Sequence, residues 1–387
     1  MFLLVVATIS LAAWVYLVGC HGGFWITSRY NDLAAPDMRS AWPDIIAVVP
    51  ARDEAQTIGD CIGSVLSQPY AGKLSVVLVD DQSSDGTAEL AAATAMALGA
   101  SDRLTIISGQ TPPAGWTGKL WALKQGINQL EQSGAMPTYV LLTDADIVYS
   151  GDVVSRLVAR AETEQLAMTS IMARLRCKSF AERFLIPAFI FFFQMLYPFA
   201  WVARGDRATA AAAGGCVLAR WSALRAAGGI DAIRGSLIDD CAMGRLLKSQ
   251  GPVWLGFSKD VSSIRASATF SEVGHMISRS AYAQLRFSPV LLVGTIVAMT
   301  VIYLAPAWLM VVGASVTRLM ALAAWALMAI SFQPTLRYYE CSPLWGVFLP
   351  AIALTYLIYT INSAYQYYMG RGGMWKGRAQ ANLSGFK

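Results

Sequence analysis

The stretch LSVVLVDDQSSDG, residues 74–86, decides the architecture. A β-branched apolar run ends on Asp80 and gives way at once to acids and turn formers. The same pattern recurs along the chain. IIAVVP (45–50) runs into Ala51-Arg52-Asp53-Glu54, YVLLTD (139–144) runs into Ala145-Asp146, and LTIIS (104–108) is a further run of the same kind. These runs lack polar alternation, as expected of strands covered on both faces. Helical stretches near 54–67, 87–98 and 118–131 separate them. Strands alternating with helices predict βαβ units and a largely parallel sheet, an α/β domain over residues 45–270. In such a sheet, ligands bind outside the carboxyl ends of the strands, where these acids gather. A fourth acidic pair, Asp239-Asp240, lies downstream.

Composition narrows the class. The 387 residues are 55% hydrophobic and 14% charged, against about 25% charged in soluble proteins, so a membrane-embedded protein is expected. The net charge of +5 is mild. With no basic stripe interleaved with aromatics, it suits anionic lipid headgroups and argues against nucleic acid as a partner. Six cysteines are scattered with no C-x-x-C pair, and His21 and His275 are the only histidines. That pattern excludes a zinc site, a disulfide frame and a Ser-His-Asp triad. A metal here would be held by carboxylates, which suits Mg²⁺ or Mn²⁺.

Residues 2–19 (FLLVVATISLAAWVYLVG) are apolar and uncharged, close to the ~20 residues that span a bilayer. A cleaved leader would show a charged start and a small-residue cleavage site, so residues 1–20 are expected to be a retained anchor. Arg29, Arg39 and Arg52 follow it and place the next segment in the cytoplasm by the positive-inside rule. Residues 289–313 and 344–368 read as spans, and 319–333 is apolar but short. A membrane region over 289–368 therefore holds two or three crossings. The basic tail 369–387, with Arg371, Lys376, Arg378 and Lys387, favours a cytoplasmic C-terminus, which two crossings satisfy and three do not.

One more apolar stretch, 184–203 (FLIPAFIFFFQMLYPFAWVA), interrupts the α/β domain. A single crossing would put Asp239 and Asp240 on the opposite face from Asp144 and Asp146, and Pro187 and Pro198 would break a straight helix. Arg174, Arg176, Lys178, Arg183, Arg204 and Arg207 flank it. An interfacial helix or re-entrant hairpin in the headgroup layer is expected in preference to a buried core helix.

The acids carry the chemistry. Asp144 and Asp146 form a D-x-D pair after a strand, placed to hold a divalent cation together with phosphate oxygens; the alternative is an acidic turn or a cap for a helix over 152–163. Asp80 ends the second strand, where a carboxylate can accept the N3–H of uracil; Asp81 and Asp85 are equally suited to turns and caps. Pro50, Arg52, Asp53 and Glu54 follow the first strand and could line base and ribose, or simply favour the next helix's N-terminus. Lys119 opens a helix, where it suits phosphate neutralisation. Asp239 and Asp240 precede a helical run, and one of them is a candidate general base, N-capping being the alternative. Gly214 and Gly215 permit close backbone approach to a ligand.

Together, VVPARDE, VDDQSSDG, GKLWALKQG, TDAD, AAGGCVLAR and IDDCAMGRLLK resemble the motif series of family 2 glycosyltransferases with a GT-A fold, a Rossmann-like and mostly parallel sheet. The resemblance covers about residues 44–290, taken as a catalytic domain over 44–288. The whole chain is similar to the bacterial hopene-associated glycosyltransferases and is related to ceramide glucosyltransferases. This implies an inverting transfer from a nucleotide sugar, a UDP-sugar, to a membrane lipid, with a hopanoid as the acceptor. It implies that Asp80 contacts uracil, that Asp144 and Asp146 hold the metal with Asp146 the direct ligand, and that Asp240 is the base. Arg279 matches the arginine of the family's Gln-x-x-Arg-Trp motif, but Met276 and Ser280 stand in place of its Gln and Trp, which speaks against a processive synthase. A multi-pass protein of the bacterial inner membrane with a cytoplasmic catalytic domain is implied. The rivals are a processive polysaccharide synthase, a non-catalytic nucleotide-sugar-binding protein and a transporter; the last is disfavoured because no charge interrupts the spans.

Overall fold

The computed structural model describes residues 1–30, 33, 41–375 and 378–379. Arg39, Lys376 and Lys387, basic residues on which the topology argument draws, lie outside the described residues. The chain divides into two compact units, each assembled from separate stretches. A sheet unit comprises Tyr30–Leu175, Val202–Arg265 and the segment from Met374. A helical unit comprises Met1–Arg29, Arg176–Trp201 and Ala266–Gly373.

The sheet has eight strands: β1 (Ile45–Ala51), β2 (Leu74–Asp80), β3 (Leu104–Ser108), β4 (Tyr139–Thr143), β5 (Ile147–Tyr149), β6 (Met168–Arg174), β7 (Cys216–Arg220) and β8 (Val253–Ser263). Their order is β3-β2-β1-β4-β7-β6-β8-β5. Pairing is parallel from β3 through β4, while β7 runs antiparallel to both β4 and β6. The four expected strands and the expected α/β class are therefore present. β1 covers both faces, as its unbroken apolar run predicts. Ala47 and Val49 share a core with Ile58 and Ile62 of helix Ile58–Leu66. Val48, between them, meets helix Gly118–Gln132 on the other side, where a Cβ added at Gly126 would lie 2.5 Å from the Val48 Cγ1 atom. Each fully buried Val or Leu contributes about 1.5–3 kcal/mol relative to exposure, so covering both faces roughly doubles the return per strand. The chain leaves β1 toward β2 on one side and returns beside it as β4 on the other. That reversal opens a crevice at the carboxyl ends of β1 and β4.

The helical unit differs from expectation in three places. First, the 44–288 span is not one compact unit, because helices Phe180–Leu196 and Phe270–Gln284 pack with Ser315–Tyr338 and Leu349–Tyr368. Second, the short apolar run 319–333 is the middle of a 24-residue helix, Ser315–Tyr338. Among the described residues, four helices are long and apolar enough to cross a membrane: Phe2–Cys20, Phe180–Val202, Pro289–Val312 and Ser315–Tyr338. Leu349–Tyr368, expected as a span, is not among them; Asn362, Gln366 and its tyrosines dilute it. Third, the 184–203 stretch has much of its surface inside the protein. Leu185, Ile186, Ala188, Ile190 and Phe191 are all buried, and 56% of its most apolar window is buried, against 17% for Phe2–Cys20 and for Pro289–Val312. Its helix runs through Pro187 and breaks only at Tyr197. A Ser179/Glu182 capping box fixes its start. The buried Glu182 carboxylate also takes Arg176 at 2.7 Å and the Ser267 N–H at 3.1 Å. Strands β6 and β7 flank this helix in sequence and are hydrogen-bonded neighbours in the sheet.

Candidate active site

The loops after β1 and β2 brace one another. Arg52 donates to the Asp81 carbonyl at 2.7 Å and pairs with its carboxylate at 3.6 Å. The Asp53 Oδ1 atom accepts the Ser84 N–H at 2.9 Å, and Asp53 itself adopts a positive φ of 49°, which Asp tolerates better than most residues. The Glu54 N–H donates to the Thr87 hydroxyl at 2.9 Å, and the Ala55 N–H to the Asp85 Oδ2 atom at 2.9 Å. Asp85 Oδ1 also accepts the Thr87 N–H at the start of helix Thr87–Ala97. Asp80 accepts the Ser83 N–H at 3.1 Å, so its carboxylate shapes the turn where uracil recognition was expected.

The second group forms a charged cluster. Thr117 caps helix Gly118–Gln132, which places Lys119 in the first turn. The Lys119 Nζ atom lies 2.7 Å from Asp144 Oδ1 and 2.9 Å from Asp239 Oδ2. Lys119, expected at a phosphate, thus bridges two carboxylates. Burial works against its charge, but Asp144 and Asp239 outweigh it and hold the ammonium above its usual range. Asp239 and Asp240 occupy the first turn of helix Asp239–Lys248, where the helix dipole favours anions. Asp240 accepts the Cys241 N–H at 2.7 Å. Burial, then the neighbouring Asp239 charge, pushes its carboxyl up to about 6. Burial, with Asp146 adding to it, likewise raises the Asp144 carboxyl, and Lys119 opposes the shift. Pro50, Lys119, Thr143, Asp144, Gly214, Asp239 and Asp240 line one cleft. Space at Gly214 is tight: a Cβ would lie 3.3 Å from the Asp240 Cβ atom and 3.4 Å from Lys119 Nζ. Gly215, expected to face a ligand, instead accommodates Ile147, whose Cδ1 atom would be 2.9 Å from an added Cβ.

The third group joins Asp146 and Glu54, both read from the sequence, to Ser263 and Arg265, which were not. Asp146 accepts the Ser263 hydroxyl at 2.6 Å and pairs with the Arg265 Nε atom at 3.2 Å. The same guanidinium reaches Glu54 Oε1 at 2.6 Å. Ser263 ends β8 and Arg265 stands two residues beyond it. The local signal was slight, because the five-residue apolar run Val253–Phe257 is followed by the polar stretch SKDVSS before Arg265 is reached. Arg279 lies in helix Phe270–Gln284 of the helical unit, whereas every residue of these three groups belongs to the sheet unit.

Among the described residues, no three acid, histidine or cysteine side chains converge as a ready-made metal cage. Mg²⁺ needs less, typically one or two carboxylates with water and substrate phosphate completing its shell. Asp144 and Asp146 offer hard oxygens from one loop, so the donor set fits such an ion.

The fold is that of the GT-A glycosyltransferases. A mannosyltransferase from Pyrobaculum calidifontis, solved in complex with GDP-Man and Mn²⁺, shares this fold with a TM-score of 0.55 at 19% identity, covering 95% of this chain and 99% of that one. The profile of glycosyltransferase-like family 2 matches residues 43–259, more than half of the sequence, and the chain belongs to that family. Two relatives named N-acetylglucosaminyltransferase are similar over shorter stretches. The Mesorhizobium japonicum protein is 26% identical over 151 residues, 39% of this chain and 32% of its own length. The Bradyrhizobium elkanii protein is 27% identical over 137 residues, 35% of this chain and 68% of its own length. The match thus spans about a third of the Mesorhizobium protein. The resemblance to family 2 read from the motifs is borne out.

Proposed function

We propose that this chain is a membrane-bound inverting glycosyltransferase that moves a single sugar from a UDP-sugar to the hydroxyl of a membrane lipid of the hopanoid class. The observation that carries the reading is the cleft at the ends of β1 and β4, where Lys119 ties Asp144 to Asp239 and Asp240 sits beside them with its carboxyl raised to about 6. A carboxylate tuned toward neutrality is a better proton acceptor than one at its ordinary value. Asp240 would take the proton of the acceptor hydroxyl as that oxygen attacks the anomeric carbon opposite the leaving diphosphate, and one displacement inverts the centre. Lys119 offsets part of the negative charge of the acid cluster and fixes Asp239 and Asp144 about it. Asp144 and Asp146 would hold Mg²⁺ or Mn²⁺, which when bound neutralises charge on the departing nucleoside diphosphate. That the donor is a nucleotide sugar draws support from the GDP-Man bound by the Pyrobaculum protein; uracil as its base rests on the motif resemblance at Asp80. The acceptor class rests on the resemblance to hopene-associated glycosyltransferases read from the sequence alone.

Four long apolar helices support a membrane setting. We place three of them across the bilayer: Phe2–Cys20, Pro289–Val312 and Ser315–Tyr338. The fourth, Phe180–Val202, joins β6 to β7 of one sheet, so its two ends return to the same compartment. With two C-terminal crossings, both the sheet unit and the C-terminus face the cytoplasm, as the basic residues favour. Cysteines introduced at Ser150 and Ser236, in a background without native cysteines, should both be protected from an impermeant reagent in intact cells. Both should react in inverted vesicles. Opposite labelling of the two would remove the single-site reading. The activity itself is tested by incubating membranes with several labelled nucleotide sugars and hopanoid extracts. One sugar per labelled lipid is expected; a sugar polymer, or label released only by hydrolysis, would overturn it.

A further inference from the structure

Asp146 is 9% exposed and Glu54 is 7% exposed, and one guanidinium, Arg265, contacts both. Burying two carboxylates is costly without a counter-charge, and Arg265 supplies it. Burial opposes the charge on Arg265, but Asp146 and Glu54 outweigh it and hold the guanidinium above its ordinary range. Asp146 is also the carboxylate expected to bind the metal directly. A divalent cation arriving at this carboxylate meets a positive group already 3.2 Å from its Oδ2 atom. Two cations on one carboxylate repel each other, and that repulsion favours displacing the one held less firmly.

Arg265 is suited to moving. Its side chain is 41% exposed and stands beyond the end of β8, outside the strand's hydrogen-bonded ladder. A planar guanidinium pairs as well with phosphate as with carboxylate. We propose that Arg265 is the resident counter-cation of Asp146 and Glu54, and that it transfers to the donor's diphosphate when a divalent cation takes Asp146, so that metal and diphosphate bind tightly only together. The inference rests on reading the cleft as a nucleotide-sugar site. Ser263 keeps Asp146 oriented during the exchange, its hydroxyl 2.6 Å from Oδ2. Arg265 is a positioning residue in this scheme and has no part in proton transfer.

The test is Mn²⁺ binding to the purified full chain, read by electron paramagnetic resonance with and without UDP. In the wild type, UDP should tighten Mn²⁺ binding by about tenfold or more, a coupling within the usual range for linked sites. Arg265→Gln should tighten Mn²⁺ binding in the absence of UDP by about tenfold and shrink the gain from UDP. Arg265→Lys keeps the charge and should bind Mn²⁺ alone as weakly as the wild type. Should Arg265→Gln fail to fold, the double variant Arg265→Gln/Glu54→Gln removes a cation and an anion together and should still bind Mn²⁺ alone more tightly. The proposal is overturned if Mn²⁺ alone binds the glutamine variants no better than the wild type, if the wild type binds Mn²⁺ equally well without UDP, or if no form binds Mn²⁺. The labelled-sugar assay is separate: Mn²⁺–UDP coupling with no sugar transferred would sink the glycosyltransferase reading and leave the Arg265 exchange standing.

Discussion

Lys119 sits in the first turn of a helix, its side chain 17% exposed, and touches Asp144 and Asp239. Arg265 sits past the end of a strand, its side chain 41% exposed, and touches Asp146 and Glu54. The D-x-D pair is thus shared out, one acid to each cation. The Lys119 half adjoins Asp240 and lines the cleft; in the proposed reaction it would bear on the proton that the acceptor loses. The Arg265 half joins the loop after β1 to the end of β8; in the proposed exchange it would bear on the ion and the diphosphate. The comparison teaches that two carboxylates with one residue between them can be given different counter-charges, because the tertiary structure brings each its own partner.

Substitutions in the Lys119 half test that division, beginning with the largest effect. Asp240→Asn keeps shape but cannot accept a proton, so transfer should fall about 10²–10⁴-fold while UDP binding stays near wild type in calorimetry. Equal loss of binding and transfer would return Asp240 to a structural role. Lys119→Gln should come next, with transfer falling about 10²-fold. It also carries a pH signature. Lys119 lowers the Asp240 pKa, so its removal raises that pKa further. The base works only when deprotonated, so activity, which in the wild type should be lost as pH falls through about 6, should already be lost at higher pH in the variant. An unshifted profile would show that Lys119 and Asp240 are not electrostatically linked.

Asp239→Asn should do least, about tenfold or less at neutral pH. Its signature is opposite in sign. The Asp239 charge raises the Asp240 pKa, so removing it lets Asp240 stay ionised to lower pH, and activity should persist below about 6. If Asp239→Asn proves more damaging than Asp240→Asn, the two residues exchange roles and the division between the halves has to be redrawn.

The parts of this site differ in how far they could be read from the chain alone. The strand ends were legible because a β-branched run ending on an acid is a local pattern. The pairing of β2 with β1 puts Asp80 beside Ala51, as a parallel sheet requires. The burial of helix Phe180–Leu196 was not legible. Hydropathy reports how apolar a segment is, and lipid and protein interior reward the same composition. Only the neighbouring helices showed that this one is largely covered while Pro289–Met299 has no buried residue. Loop chemistry lay in between. The acids of Arg52–Glu54 and Asp80–Asp85 were visible, but the hydrogen bonds by which the two loops brace each other were not.

By itself the sequence determined the α/β alternation, the acids at the strand ends and the apolar helices, because each is written within a window of a dozen or two residues. The tertiary structure alone decided which cation answers which acid. Arg265 meets Asp146 across 119 residues and Glu54 across 211. No spacing rule spans such distances, since the partners are brought together by the order of strands in the sheet, and that order is set by how the whole core packs.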